Sequence, residues 1–310
     1  CLEKGIDKTW GGADLNIGGV VYIAMPNTAN AFASIKKWVF EEKKYQLKDV
    51  VAALKNNYEG KELWKEMHRD FLSTPKFGNN DSYVDEQMAW LIDNAYEVLA
   101  EAEELCDEIY LTKPKTKKET ERIQRLRLMA EYEGSSMKER YGDDFDILFS
   151  AGCGTFAQYA LFGIGTAASA DGRLRNEPVA PNFSPSSGTA VNGEGAVLSS
   201  LKNLNLNKYA AGVMLDMCIN KNELNKEKIQ EIYKRFILSN GSIISLTIAG
   251  FDNIKKAYET CNDVRSGKKQ QDALSEFADL NVRVGGWNGP FITLTQVQQE
   301  DYMKRITENL

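Results

Sequence analysis

The groups able to do redox or metal chemistry in this sequence are few and far apart. Five cysteines are spread over 310 residues without a Cys-x-x-Cys pair, and there is one histidine, His68. An odd number of scattered cysteines in a long chain predicts free thiols in a reducing compartment, here the cytoplasm. Without clustered thiolate and imidazole ligands, we predict no metal site. The cysteines are Cys1, Cys106, Cys153, Cys218 and Cys261.

A second candidate for unusual chemistry is a glycine-rich stretch near the end of the sequence. Gly285-Gly286 is flanked by apolar and β-branched residues, and Asn288-Gly289 is a further turn signal. The local pattern predicts strands at Asn281–Val284 and Phe291–Leu294 with a glycine turn between them. Pattern alone favours an ordinary hairpin.

Composition narrows the class of protein. The chain is 43% hydrophobic and 26% charged, as in soluble globular proteins, and its net charge is −6. An acidic balance disfavours nucleic-acid binding, and no apolar run is long enough to span a membrane. The Lys113–Lys118 run is expected to be solvated. Because the first residue is not Met, we expect sequence upstream of it.

Alternating helix and strand patterns predict an α/β fold with buried, partly parallel strands. The strongest helical periodicity runs from Asp85 to Tyr110, after the capping residues Asn79–Ser82. Further helices are predicted at Asn30–Lys44, Gln46–Asn57, Thr116–Tyr141, Lys226–Leu238 and Val297–Thr307. Further strands are predicted at Gly19–Ala24, Asp146–Ser150, Gly212–Ile219 and Ser242–Ile248.

One long segment, Ser169–Gly193, fits neither pattern. It combines glycines and prolines with few apolar residues, which predicts an ordered irregular loop. Loops of this length on a rigid scaffold usually carry function. We therefore predict that it lines the mouth of the active site.

The glycine-rich stretch, taken with its surroundings, resembles the glycyl radical signature. Arg283-Val284, one residue, Gly286 and the aromatic Trp287 are followed by Phe291, Leu294 and a Gln-rich helix. The family usually has Tyr or Phe where this chain has Trp287. The resemblance implies that Gly286 stores the radical, with Arg283, Trp287 and Phe291 in support. Only glycine suits a flattened Cα radical, because any Cβ would clash with the neighbouring peptide planes.

Other motifs in family order extend the resemblance over nearly the whole chain. They imply an active-site loop with Asp171, Arg173, Ser184 and Gly188, and a supporting Arg305. The family's proline is replaced by Ala170 in this loop. The stretches are Cys1–Ala13, Ile35–Glu42, Ala53–Gly60, Pro75–Asp85, Ala170–Arg173, Glu177-Pro178, Ser184–Gly188 and Arg305–Thr307.

The fold implied by the resemblance is the C-terminal half of a ten-stranded α/β barrel, with the glycyl radical loop inserted in its centre. We expect residues 1–261 to belong to the barrel and residues 262–310 to a glycine radical domain. The implied enzyme binds no cofactor; a radical-SAM activase installs its radical. We further expect a homo-oligomer that acts on a small carboxylate.

Cys1-Leu2-Glu3 matches the Cys-x-Glu motif that carries the thiyl radical in the lyase branch. We nevertheless assign it to a second cysteine stretch of the family, because Gly5, Asp7 and Gly11–Ala13 follow it. The thiyl cysteine is then expected upstream of Cys1.

The branch of the family decides the reaction. The Asn-x-Lys-x-x-Pro motif of diol and choline lyases is broken at Asn220–Glu223, and Leu15 replaces a tyrosine. Trp287–Pro290 resembles the arylacetate decarboxylases. We therefore expect radical decarboxylation of an arylacetate-like acid. The alternatives are C–O or C–N elimination, addition to fumarate, and a non-catalytic spare part that bears the radical.

Overall fold

A computed structural model of the chain describes residues 1–3, 5, 17–111, 148–284 and 287–307. Four parallel strands form one sheet in chain order: β1 (Ile17–Tyr22), β2 (Leu148–Cys153), β3 (Gly212–Asn220) and β4 (Ile243–Ala249). Parallel neighbours need long crossovers, and helices supply them. Parallel strands in chain order joined by helices confirm the predicted α/β class, and the arrangement is consistent with part of an α/β barrel.

The described residues contain nine α-helices. They are α1 (Met25–Ile35, continued by a π-helical stretch at Lys36–Glu41), α2 (Leu47–Lys55), α3 (Glu62–Ser73), α4 (Ser82–Leu111), α5 (Tyr159–Gly163), α6 (Gly193–Leu201), α7 (Lys226–Leu238), α8 (Phe251–Arg265) and α9 (Gln296–Thr307). None of them is long and apolar enough to cross a membrane.

Side chains cap the starts of two helices, and capping at the first of them, α4, was predicted. The Asp81 carboxylate accepts a hydrogen bond of 2.9 Å from the Tyr83 amide at the start of α4. The Asn225 side chain accepts from the Lys228 amide and caps α7, whose predicted bounds are confirmed. The predicted helix Thr116–Tyr141 and the Lys113–Lys118 run lie outside the described residues.

The side chains of strand β3 point alternately to the two faces of the sheet, and each face contacts a different hydrophobic core. Val213, Leu215 and Met217 pack beneath the outer helices, in a core shared with α1, α4, α6 and α7. Cys218 belongs instead to a second core, built with α8, α9 and a C-terminal hairpin. The hairpin therefore packs on the face of the sheet that points away from the outer helices.

The hairpin consists of β5 (Asn281–Val284), as predicted, and β6 (Trp287–Pro290). The predicted strand at Phe291–Leu294 is wrong, because Phe291–Thr293 form a single 3₁₀ turn. Pro290 has no N–H to extend the ladder, and the Phe291 amide turns back to the Leu280 carbonyl at 2.8 Å. The domain boundary after Cys261 stays a prediction; it would fall inside α8.

Candidate active site

The candidate radical site lies at the closed end of the β5–β6 hairpin. Val284 faces Trp287 across the antiparallel pair, and Gly285 and Gly286 connect them in the sequence. Both glycines lie outside the described residues, so the assignment of the radical to Gly286 stays a prediction. The two residues that flank these glycines differ in exposure: Val284 is buried, whereas Trp287 is 45% exposed.

The Trp287 side chain restricts which residue strand β6 can have at position 289. Residues two apart on a strand share a face, and the Trp287 ring lies over Gly289. A Cβ built on Gly289 would stand 2.2 Å from Cζ3 of the indole. Gly289 is therefore required by the packing of Trp287, a role different from the turn predicted at Asn288-Gly289.

A hydroxyl pair joins the hairpin to the sheet and to the last helix. Thr247 Oγ1 on β4 accepts from the Arg283 amide at 3.1 Å and from the Tyr302 hydroxyl at 2.6 Å. The Tyr302 hydroxyl also lies 3.3 Å from the Arg283 carbonyl. Tyr302 is fully buried, so these bonds have little competition from water. They fix strand β5 three residues before Gly286.

The predicted supporting residues differ in what they contact. The Arg283 guanidinium reaches the Asn288 side chain at 3.3 Å, across the hairpin. Phe291 is fully buried, with its ring 6.1 Å from that of Tyr302 and its carbonyl bonded to Gln299. Of the residues predicted to shield the radical, Val284 and Phe291 are buried and Trp287 is half-exposed.

Arg305, also predicted from its motif, is the centre of a buried charge cluster on α9. Its Nε lies 3.3 Å from the Asp301 carboxylate, one helical turn earlier. A second nitrogen donates to the Tyr159 hydroxyl at 3.2 Å, and the guanidinium stacks 4.3 Å from the Tyr302 ring. Burial raises the pKa of Asp301, and Arg305 opposes that shift. Arg305 thus carries the counter-charge for a buried carboxylate behind the hairpin.

The predicted active-site loop is ordered by its own motif residues. Asp171 accepts from Asn27 at 2.6 Å, from the Ser169 hydroxyl at 2.6 Å and from the Arg173 amide at 3.2 Å. Arg173 donates to the carbonyls of Ala167, Leu174 and Glu177. The geometry therefore makes both side chains organisers of the loop, with their polar atoms committed to it.

Ser184 connects this loop to the sheet. Its hydroxyl accepts from the Asp216 amide on β3 at 2.7 Å. The neighbouring Asn182 donates to the Asp216 carboxylate at 2.5 Å and accepts from the Thr155 and Phe156 amides. Burial raises the pKa of Asp216, while Arg305 and Asn182 favour its charged form. Asp216 is a titratable group on the inner face of the sheet.

A cleft of about 780 Å³ runs between the loop, the end of α3 and helix α9. Gly188 lines it and adopts a φ of +86°, a left-handed conformation that favours glycine. Asp301 and Lys304 reach the cleft from α9, while Tyr302 of the same helix faces the hairpin. That Ser169–Gly193 lines an active-site mouth stays a prediction, because Gly286 is outside the described residues.

Sequence reasoning missed the residues that hold the hairpin from a distance. Thr247, Tyr302 and Asp216 carry no motif, and only the four-residue spacing of Asp301 and Arg305 hints at a helical ion pair. Within the described ranges, no cluster of three or more His, Cys, Asp or Glu side chains could hold a metal ion.

The chain resembles known proteins in both sequence and fold. A family model described as pyruvate formate lyase-like matches residues 1–116. The probable dehydratase YbiW of Escherichia coli is 26% identical over 316 residues, covering 100% of this chain and 33% of the relative. The isethionate sulfite-lyase of Bilophila wadsworthia is 25% identical over 299 residues, covering 94% of this chain and 29% of the relative.

Solved structures give the same fold. Hydroxyproline dehydratase from Clostridioides difficile matches with a TM-score of 0.70 at 22% identity, covering 98% of this chain and 32% of that one. A glycyl radical enzyme from Archaeoglobus fulgidus matches with a TM-score of 0.68 at 24% identity, covering 98% and 32%. The chain thus spans about a third of the length of the proteins it matches.

Proposed function

Because the chain belongs to the glycyl radical enzyme family, we propose that it forms part of a radical lyase in which Gly286 stores the radical. The observation that carries the proposal is the fixed hairpin. Arg283 is held on both sides of its Cα: its amide donates to Thr247 Oγ1, and the Tyr302 hydroxyl lies 3.3 Å from its carbonyl. A stored radical needs a backbone that does not move relative to its reaction partner, and these bonds supply that constraint.

The cysteine that takes the radical from Gly286 lies, in this proposal, outside the 310 residues. Two of the described buried thiols have packing contacts: Cys153 Sγ lies 3.1 Å from Met25 Sδ, and Cys261 contacts the Gln299 amide. The third, Cys218, is buried in the core that contains the hairpin. Cys1 is exposed and belongs to the second cysteine stretch rather than to the thiyl site.

The reaction favoured by the relatives is elimination of a heteroatom group. Their names include a probable dehydratase, isethionate sulfite-lyases and two dehydratases of hydroxylated substrates. A thiyl radical would abstract a hydrogen atom from one carbon, the neighbouring carbon would lose its leaving group, and the product radical would take the hydrogen atom back from the cysteine. Decarboxylation of an arylacetate-like acid, favoured by Trp287–Pro290 alone, is the second candidate.

The remaining elements of the proposal follow from the class of enzyme. A radical-SAM activase would abstract the Gly286 hydrogen, so no cofactor needs to stay bound. The substrate would be a small molecule, and we expect a homo-oligomer in the cytoplasm.

The test is turnover by the complete polypeptide that carries these residues, activated anaerobically by its activase. Substrates would be a vicinal diol, a hydroxylated amino acid, a hydroxyalkyl sulfonate and an arylacetate, with products identified by mass spectrometry. Elimination from one of the first three, lost in Gly286→Ala, supports the lyase. Release of carbon dioxide from the arylacetate alone would replace it with the decarboxylase.

A further inference from the structure

Lys76 is a buried cation on the wall of the 780 Å³ cleft. It lies in the segment between α3 and α4, and only 9% of its surface is exposed. Among the described residues, its one hydrogen bond is a 2.5 Å contact to the Phe71 carbonyl near the end of α3. An ammonium group has three donors, so this bond leaves two of them unused.

The surroundings of Lys76 disfavour its charge. Burial lowers the pKa of Lys76 to about 8, and the nearby Asp171 opposes the shift. No hydrogen bond or ion pair joins the two among the described residues; the Asp171 carboxylate accepts from Asn27, Ser169 and the Arg173 amide instead. A buried cation without a bonded counter-ion is compensated when an anion arrives.

The walls of the cleft select the kind of anion. Besides Lys76, the cleft is lined by four carboxylates (Asp81, Asp171, Glu177 and Asp301) and two further cations (Arg173 and Lys304). This slightly acidic balance favours a singly charged group over a dianion such as phosphate. Leu72, Pro75 and Pro178 add apolar wall. A cleft of this kind suits a small ligand with an apolar body and few polar groups.

We propose that the cleft is a binding site for small monocarboxylic acids, with Lys76 as the group that recognises the carboxylate. This binding does not rest on the proposed radical reaction, whether or not the Ser169–Gly193 loop that lines the cleft also lines the active-site mouth. Binding therefore needs neither activation nor Gly286, and failure of the lyase proposal would leave this one intact.

The test is a fluorine NMR titration of the complete, unactivated polypeptide with 4-fluorobenzoate at neutral pH. Saturable binding is expected at millimolar concentration, with no binding of the neutral 4-fluorobenzamide. Lys76→Gln is expected to weaken binding roughly tenfold or more, as loss of a charge-assisted hydrogen bond does. Lys76→Arg should retain most of the affinity, and Lys65→Gln, at an exposed lysine of α3, should not change it.

Thermal melts establish that each variant is folded, and Lys76→Met replaces Lys76→Gln if the latter does not fold. Equal binding of the amide and the acid, unchanged affinity in the folded Lys76 variant, or no saturable binding would each overturn the proposal.

Discussion

The Tyr302 hydroxyl lies 2.6 Å from Thr247 Oγ1, a contact between residues 55 positions apart that joins the last helix to strand β4. Because Thr247 also accepts from the Arg283 amide, one threonine oxygen holds both the helix and the hairpin. The position of the predicted radical glycine thus depends on a residue of the sheet that belongs to no motif.

Tyr302→Phe should loosen the hairpin while leaving the fold in place. Removing the hydroxyl leaves Thr247 short of a buried partner, at an expected cost of about 1–2 kcal/mol. Amide hydrogen exchange of residues 282–284 should then be roughly tenfold faster, if local opening limits exchange. The control is Tyr209→Phe, which removes an equally buried hydroxyl bond to the Ile92 carbonyl far from the hairpin. Similar exchange in both variants would contradict the assigned role.

Gly289→Ala should destabilise the protein through Trp287. The added Cβ overlaps the indole ring, and the strain of displacing it is expected to cost about 1–3 kcal/mol. In a Trp287→Ala background the same substitution should cost much less, since the obstructing ring is gone. Urea unfolding of the four proteins of this cycle measures the coupling. Additive effects would show that Gly289 is needed for another reason.

Replacing only Arg305 of the buried pair Asp301–Arg305 should destabilise the protein more than replacing both residues. Arg305→Met leaves the Asp301 carboxylate buried without its counter-ion, which is expected to cost about 3–5 kcal/mol. Adding Asp301→Asn removes the stranded charge and should recover a substantial part of that loss. Thermal unfolding compares the single and double variants, and a double variant no more stable than Arg305→Met would reject the pairing.

Asp85, in the first turn of α4, should make stability depend on mildly acidic pH. Burial raises the pKa of Asp85 to about 6, while a hydrogen bond from Ser200 opposes the shift. The folded state therefore holds a proton that the unfolded state has lost between the ordinary carboxyl pKa and about 6. Stability from this group is present at low pH and decreases as pH rises through that window.

Asp85→Asn should remove this decrease. Its unfolding midpoint in urea, compared with that of the parent from pH 4 to 7, is the measurement. Asp93→Asn, at a half-exposed carboxylate further along α4, is the matched control. A parent and an Asp85→Asn variant with parallel pH profiles would contradict the buried-acid interpretation.

The parts of the fold that could be predicted are those encoded locally. Lys226–Leu238 and Asn281–Val284 were predicted with the observed bounds because a cap or a turn signal stands beside a clear periodicity. Phe291–Leu294 was predicted wrongly, because a short apolar run does not distinguish a strand from a buried turn. Helix α3 was missed, although its apolar residues Trp64, Met67 and Phe71 recur at helical spacing.

Only the motif residues of the candidate site could be predicted from the sequence. The motif residues Asp171 and Arg305 were identified, but their roles depend on partners far away in the chain. Asn27 bonds to Asp171 across 144 positions, and Tyr159 bonds to Arg305 across 146. No local pattern reports such pairs, so Thr247, Tyr302 and Lys76 were visible only in the folded structure.

The central claim is that Gly286 stores the radical, and electron paramagnetic resonance tests it most directly. The complete polypeptide would be activated without oxygen by its radical-SAM activase, with unlabelled or Cα-deuterated glycine incorporated. A doublet that collapses on deuteration and is absent in Gly286→Ala is predicted. Gly195→Ala, in helix α6 where a Cβ has room, serves as the control and should keep the signal. A doublet that survives in Gly286→Ala would contradict the account.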